Sequence, residues 1–180
     1  LYGVLDCGAE GDCLFLCMAE AFKNINMPED DTYSAEEIIV HENYNWNGNN
    51  WDIALIKLED PISFNNSTQA VELICDEQVE LGVQDPGEMS WITGWGETEG
   101  TTNSTQLQVV GVPITTESNY WGIEDDEIMA GYPDGGYDSC QGDSGGPMVV
   151  LAADGVTFLQ VGIVSWGTVS YTHLRAHETL

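Results

Sequence analysis

The sequence predicts an all-β domain, on three observations. Short runs rich in β-branched and aromatic residues recur along most of the chain. Segments rich in Gly, Asn and Asp separate them, the layout of a sandwich or barrel. At 180 residues with 42% apolar content, the chain can bury one core and falls outside the disordered class.

The N-terminal stretch departs from this class. Cys13 to Phe22 has apolar residues at helical spacing with Asp12 placed to cap it, and a short helix is expected there. Ser34 and Glu37 stand at capping-box spacing and resemble the opening of another helix, one that then lacks a body. From about residue 39 the pattern is β. Strands are expected over 52–58, 90–94, 106–114, 147–151 and 158–165. Asn65, Asn66 and Asn103 begin glycosylation sequons, which matter only in a secreted chain. Residues 169–180 hold two of the three histidines and continue no strand.

Charge narrows the partners. There are 31 acidic and 3 Lys or Arg residues, a formal charge of -28. That field repels phosphate backbones and attracts cations, so nucleic acid is excluded as a partner. The acids are spread along the chain, as in a surface adapted to a saline setting. No run is long and apolar enough for a membrane span, so no membrane partner is expected. Leu1 is not an initiator Met and no signal peptide is legible, so the chain reads as a fragment. Cys7, Cys13 and Cys17 cluster, while Cys75 and Cys140 are isolated. That pattern suits neither a disulfide framework nor a finger-like metal site, and no metal or cofactor is expected.

The chemistry lies in Asp138-Ser-Cys-Gln-Gly-Asp-Ser-Gly-Gly-Pro147. Gly142 and Gly145 let the backbone turn sharply around Ser144. Amides of Gly142 and Ser144 in such a turn can point at one oxyanion, and a serine there needs an adjacent base to attack a carbonyl.

Residues 39–167 resemble the trypsin/chymotrypsin family of serine proteases. The resemblance rests on the ten-residue stretch, on Asn50 to Leu58, on Thr93-Gly94-Trp95-Gly96, on Ala130-Gly131-Tyr132 and on Ile163-Val164-Ser165-Trp166-Gly167. The interval from Asp52 to Ser144 matches the family's, roughly 93 residues. The resemblance implies a double Greek-key β-barrel, its second barrel nearly complete and its first mostly missing. It makes Ser144 the nucleophile and Asp52 the residue that orients an imidazole, with Gly142 and Ser144 as the oxyanion hole. Asp138 becomes the pocket carboxylate selecting Lys or Arg, and Asp143 the acceptor of a new N-terminal amine. Ser165, Trp166 and Gly167 become the strand that binds substrate backbone. The implied protein is a secreted, monomeric endopeptidase acting on proteins or peptides with Lys or Arg.

Several family features are absent. The family histidine falls near position 7, where the sequence reads Leu5-Asp6-Cys7-Gly8. His41-Glu42-Asn43-Tyr44 resembles a non-catalytic HPxY segment, and His173 and His177 follow Ser144 in the wrong order. Ser90 and Val150 occupy two positions that form a disulfide in the family. The partner of Cys140 is missing, Met129 stands for another half-cystine, and Cys75 resembles a cysteine that tethers a propeptide in some relatives.

Residues 1–38 resemble the start of an OTU-type cysteine protease, through Glu10-Gly11-Asp12-Cys13-Leu14-Phe15 and Tyr33 to Glu37. In that reading Cys13 is a nucleophile at a helix N-terminus. Residues 168–180 resemble translated adapter sequence. The expected organisation is therefore a composite of 1–38, 39–167 and 168–180, with joins near 38–40 and 168–169. The leading expectation is a trypsin-like serine endopeptidase whose present chain lacks its base. The alternatives are a non-catalytic pseudo-protease binding module and an OTU-like deubiquitinating enzyme acting through Cys13.

Overall fold

The computed structural model describes residues 13–14, 34–44, 51–65, 69–98, 106–116, 127–166 and 178–179. In chain order the strands are β1 (Cys13–Leu14), β2 (Ala35–Val40), β3 (Ala54–Leu58), β4 (Glu72–Leu73), β5 (Met89–Gly94), β6 (Gln108–Pro113), β7 (Pro147–Leu151), β8 (Phe158–Ile163) and β9 (Glu178–Thr179). One short helix, α1 (Asp76–Glu80), lies between β4 and β5. The class is all-β, as the sequence predicts. Among the described residues no helix is long and apolar enough to cross a membrane.

The larger sheet has six strands in the order β4-β8-β7-β5-β6-β9. Its pairs are antiparallel except β4 with β8. Burial alternates along these strands. Ser90 and Ile92, Val110 and Val112, and Met148 and Val150 point into one buried face, and their neighbours point out. With Val83, Ile114, Ala152 and Leu159, the apolar members form one core cluster.

At the centre of that core β5 and β7 place Ser90 opposite Val150, the two positions that hold a disulfide in the family the sequence resembles. They are 0% and 1% exposed. The Ser90 hydroxyl donates to the Val112 carbonyl at 2.8 Å, so this buried polar group keeps a partner.

The smaller sheet has the order β1-β3-β2 and corrects the helical expectation for the N-terminal region. Ser34 to Glu37 lead into strand β2 instead of a helix. Ile38, Ile39 and Val40 are β-branched, and β3 supplies an antiparallel partner through Ile38↔Ile56, Ile39↔Leu55 and Val40↔Ala54. Across the pair Lys57 Nζ lies 2.9 Å from Glu36. A ladder with an ion pair outweighs an isolated capping pattern. The strand runs unbroken through Ile38–Ile39, where the sequence changes character. Cys13 and Leu14 pair with Lys57 and Ile56, so they too are strand, not helix. Residues 15–22 of that expected helix lie outside the described residues.

The tail also differs from expectation. Glu178 and Thr179 add a strand to β6, opposite Val109 and Gln108. An edge strand offers unpaired N–H and C=O groups, and a two-residue segment suffices to occupy part of it.

The β7–β8 turn is closed by Asp154. One carboxylate oxygen accepts from Val156 N and Thr157 N at 2.8 Å each, the other from Thr157 Oγ1 at 2.7 Å. Hydrogen bonds from Thr157, then Val156, hold this carboxyl below its ordinary value of 3.8. A folded-state pKa below the unfolded one means that the stabilisation is present above pH 3.8 and is lost as pH falls through the folded value. The urea midpoint of Asp154→Ala should therefore lie below that of the parent near neutral pH, and the gap should close below pH 3.8. A gap independent of pH would show that the charge plays no part.

Directly opposed strand residues have Cα atoms about 4.5–5.5 Å apart, within reach of a disulfide. Replacing Ser90 and Val150 together by cysteine should give an oxidised bridge in non-reducing mass analysis. It should raise stability by about 2–4 kcal/mol over the reduced form. Failure of the pair to oxidise would overturn the β5–β7 register.

Candidate active site

Ser144 sits in a turn between residue 140 and the start of β7, and it is exposed. Gly142 and Gly145 have φ of 96° and 79°, the left-handed region that glycine enters without cost. The turn hangs on Asp143, which is 7% exposed. One oxygen of Asp143 accepts from Gly96 N at 2.8 Å, and the other from Cys140 N at 2.9 Å. A buried carboxylate requires such donors. The Gly94-Trp95-Gly96 turn exists to make room for it: a Cβ on Gly94 or Gly96 would collide with the Asp143 carboxylate. The Trp95 indole nitrogen is buried with no hydrogen-bond partner.

Two further bonds fix the turn. Gly145 N donates to Val164 O, and Val164 N donates to Gly146 O at 2.9 Å. The next residue, Ser165, donates its hydroxyl to Asp52 at 2.6 Å, across 113 residues of sequence. Consecutive residues after β8 therefore hold the serine turn on one side and the Asp52 carboxylate on the other.

Asp52 is exposed just before β3, in a tight turn where Ile53 N donates to Trp51 O at 2.8 Å. Trp51 has φ 55°, the one positive φ at a described non-glycine residue. Such a conformation costs roughly 1–3 kcal/mol and persists where its surroundings hold it. Here the Trp51 ring stacks on His41 at 4.7 Å and 8°.

Asp138 is half-buried, and one oxygen accepts from Ser139 N at 2.8 Å. Burial pushes its carboxyl above the ordinary 3.8, the Asp143 charge adds to this, and the Ser139 bonds oppose it. The neighbouring Cys140 thiol is also pushed up, by burial first and then by the charges of Glu97, Asp143 and Asp138, although a hydrogen bond with Gln141 opposes the rise. That thiol is poorly suited to be a nucleophile.

The structure brings Asp52 and Ser165 into contact and ties Ser144's turn to the residue beside them. Among the described residues it brings no histidine to Ser144. His41, the one histidine among the described residues, stacks on Trp51 and accepts from Asn43 N at 3.2 Å. Gly167, His173 and His177 lie outside the described residues, as does Cys17. Cys13 lies in a strand, so the expected placement at a helix N-terminus is corrected. Among the described residues no group of three or more potential ligands could hold a metal.

Sequence reasoning missed Glu127, whose carboxylate accepts from the Trp166 indole N–H at 2.8 Å. It also missed Ser139 as the holder of Asp138. Glu127 closes the run Glu124-Asp-Asp-Glu127, which has the look of a solvated acidic stretch.

The family described as Trypsin matches residues 11–175. Trypsin-1 of Astacus astacus is 38% identical over 162 residues, which are 86% of this chain and 65% of that protein. Trypsin of Squalus acanthias is 38% identical over 145 residues, 77% and 58% respectively. Trypsin eta of Drosophila melanogaster is 41% identical over 139 residues, 73% and 49%. The chain belongs to the trypsin family. It spans about half to two thirds of the length of these relatives.

Gly96→Ala should drive a methyl to about 2.5 Å from the Asp143 carboxylate, expel it and loosen the Ser144 turn. The expected cost is about 1–3 kcal/mol in urea unfolding, with faster amide exchange at Gly145 and Val164. Unchanged exchange at those two amides would show that the turn does not depend on Asp143.

Proposed function

We propose that this chain carries the acylating half of a serine endopeptidase that cuts protein or peptide substrates after Lys or Arg. The observation that supports it best is the pair Val164–Ser165, which holds the Ser144 turn and the Asp52 carboxylate on adjacent residues. The Ser144 hydroxyl attacks the scissile carbonyl, and amides of Gly142 and Ser144 receive the oxyanion. The reaction needs an imidazole, oriented by Asp52, to take the hydroxyl proton and return it to the leaving amine, and none of the described residues supplies it. The serine is thereby acylated, and water releases the acyl group. Asp138 selects a cationic side chain, because a half-buried carboxylate gains most from a charged donor. Substrate backbone pairs with Ser165, Trp166 and Gly167. The relatives named trypsin support the protease reading.

A second reading, a binding module without catalysis, is favoured by one observation: His41 is engaged with Trp51 and Asn43 and not with Ser144.

On the enzyme reading, the full chain should hydrolyse arginine esters at or below roughly a thousandth of a trypsin-like rate, for want of the general base. Ordinary turnover that Ser144→Ala abolishes would show that a base is present after all. Benzamidine should bind, and its affinity should fall as pH drops through the raised pKa of Asp138, because the protonated carboxyl loses its charge. Asp138→Asn should remove that pH dependence. Benzamidine binding that is unaltered in the variant would overturn the pocket assignment.

A further inference from the structure

β2 is an edge strand. The smaller sheet runs β1-β3-β2, and no described strand lies on its outer side. Every residue of β2 is exposed. Ile38, Ile39 and Val40 are 50%, 42% and 52% exposed, consecutive apolar residues open on both faces. Trp51, stacked on His41, and Ile53 extend this apolar surface past Val40. Edge strands are ordinarily blunted by a charge, a proline or a bulge. Here those devices stop at Glu37, where the register shifts against β3, and Lys57 is turned to Glu36.

We propose that the outer edge of β2 pairs with the same edge of a second copy of this chain, antiparallel about a two-fold axis at Ile39. The backbone fixes which groups are offered. His41 N donates to Ile53 O at 3.1 Å, so residue 41 turns its backbone groups toward β3. That direction alternates along an antiparallel strand. Ile39 therefore also faces β3, and Ile38 and Val40 turn their N–H and C=O groups outward. Setting Ile38 against the partner subunit's Val40 lets the two exchange hydrogen bonds, and the symmetry repeats the pair. Ile39 then meets the partner subunit's Ile39, and Glu37 meets the partner subunit's His41. His41 Nδ1 accepts from Asn43 N at 3.2 Å, so in the neutral ring Nε2 carries the proton and is a donor for that carboxylate. The adjacent registers that use the same outward groups match less well. An axis at Ile38 sets Glu37 against Ile39, and an axis at Val40 sets Ile38 against Glu42.

The formal charge of -28 repels a second copy at long range. Salt shortens the reach of that repulsion, from about 10 Å at 0.1 M to about 3 Å at 1 M, and leaves strand pairing and apolar contact intact. The dimer should therefore tighten as salt is added. Because the contact is isologous, it closes at two copies instead of growing into a fibre.

The test is sedimentation velocity of the full chain across a range of concentrations at low and high salt. The ribbon of residues 37–41 is short, so Kd should be on the order of 10 µM at 0.1 M salt and about tenfold lower at 1 M. Ile39→Lys sets like charges face to face at the axis and should raise Kd about tenfold. It also lowers the net negative charge, so the general field cannot explain a weakening. Slow amide exchange at Leu55 checks that β2 and β3 remain paired in the variant. Ile39→Cys should give a disulfide-linked dimer on mild oxidation, because opposed Cα atoms at such a pair lie about 4.5 Å apart. Peptide mapping separates that link from the five native cysteines. Ile38→Cys, set against Val40, should not link to itself. A chain that stays monomeric at every concentration and salt overturns the proposal, and protected Ile38 and Val40 amides in that monomer would identify a segment of this chain as the occupant of the edge. A dimer that Ile39→Lys leaves intact belongs to another surface and overturns it as well. So does a link formed through Ile38→Cys in place of Ile39→Cys.

Discussion

The carboxylate of Asp143 has one oxygen on the amide of Gly96 and the other on the amide of Cys140. Both bonds have an ionised acceptor and lie where water is excluded, so each is stronger than a neutral hydrogen bond. They join two segments far apart in sequence, and the reactive turn is built around the joint. The glycines follow from it. Gly94 and Gly96 leave the space that the carboxylate fills, and Gly146 lies against the Asp143 carbonyl. Gly142 and Gly145 take the backbone angles that reverse the chain on either side of Ser144. Neither Gly94 nor Gly96 can take a side chain unless the buried carboxylate moves.

Val164 and Ser165 carry the second half of the arrangement. A serine turn can be well formed and still be useless if the aspartate that orients its base lies elsewhere. Here one residue receives an amide from Gly145 and the next gives a hydroxyl hydrogen to Asp52. Asp52 is an exposed residue in a strained turn beside Trp51, so its direction depends on contacts of this kind. The register of β8 against β7 therefore sets the relation between nucleophile and aspartate. A slip of one residue would turn Ser165 to the opposite face of the strand.

The main strands were legible in the sequence as short apolar runs set between segments rich in Gly, Asn and Asp. Segments 90–94 and 147–151 are two such runs, and both are strands in the structure. Ser34 to Glu37 misled because capping is a local signal, whereas β2 owes its form to a partner more than a dozen residues further on. β4 and β9 have two residues each and can show no period. At the site, Ser144, Asp52 and Asp138 were named from motif matches, and the geometry adds how the Ser144 turn and Asp52 are tied to the two residues after β8. Glu127 was not legible. Its run of acids looks like solvated surface, and only the fold places the last of them on an indole.

Ser90 and Val150 face each other in the core with no sulfur between them. The sheet that carries the serine turn is thus assembled by strand pairing, a hydrogen bond and apolar contact, with no covalent step at its centre. Thiol oxidation and reshuffling take seconds to hours. At this position the chain has no such step to wait for, and no mispaired intermediate to escape. The rate at which the sheet forms is set by the search that brings β5 and β7 together from distant parts of the chain. The same pairing is indifferent to reductant, so the centre of this sheet withstands conditions that would open a cystine in the same place.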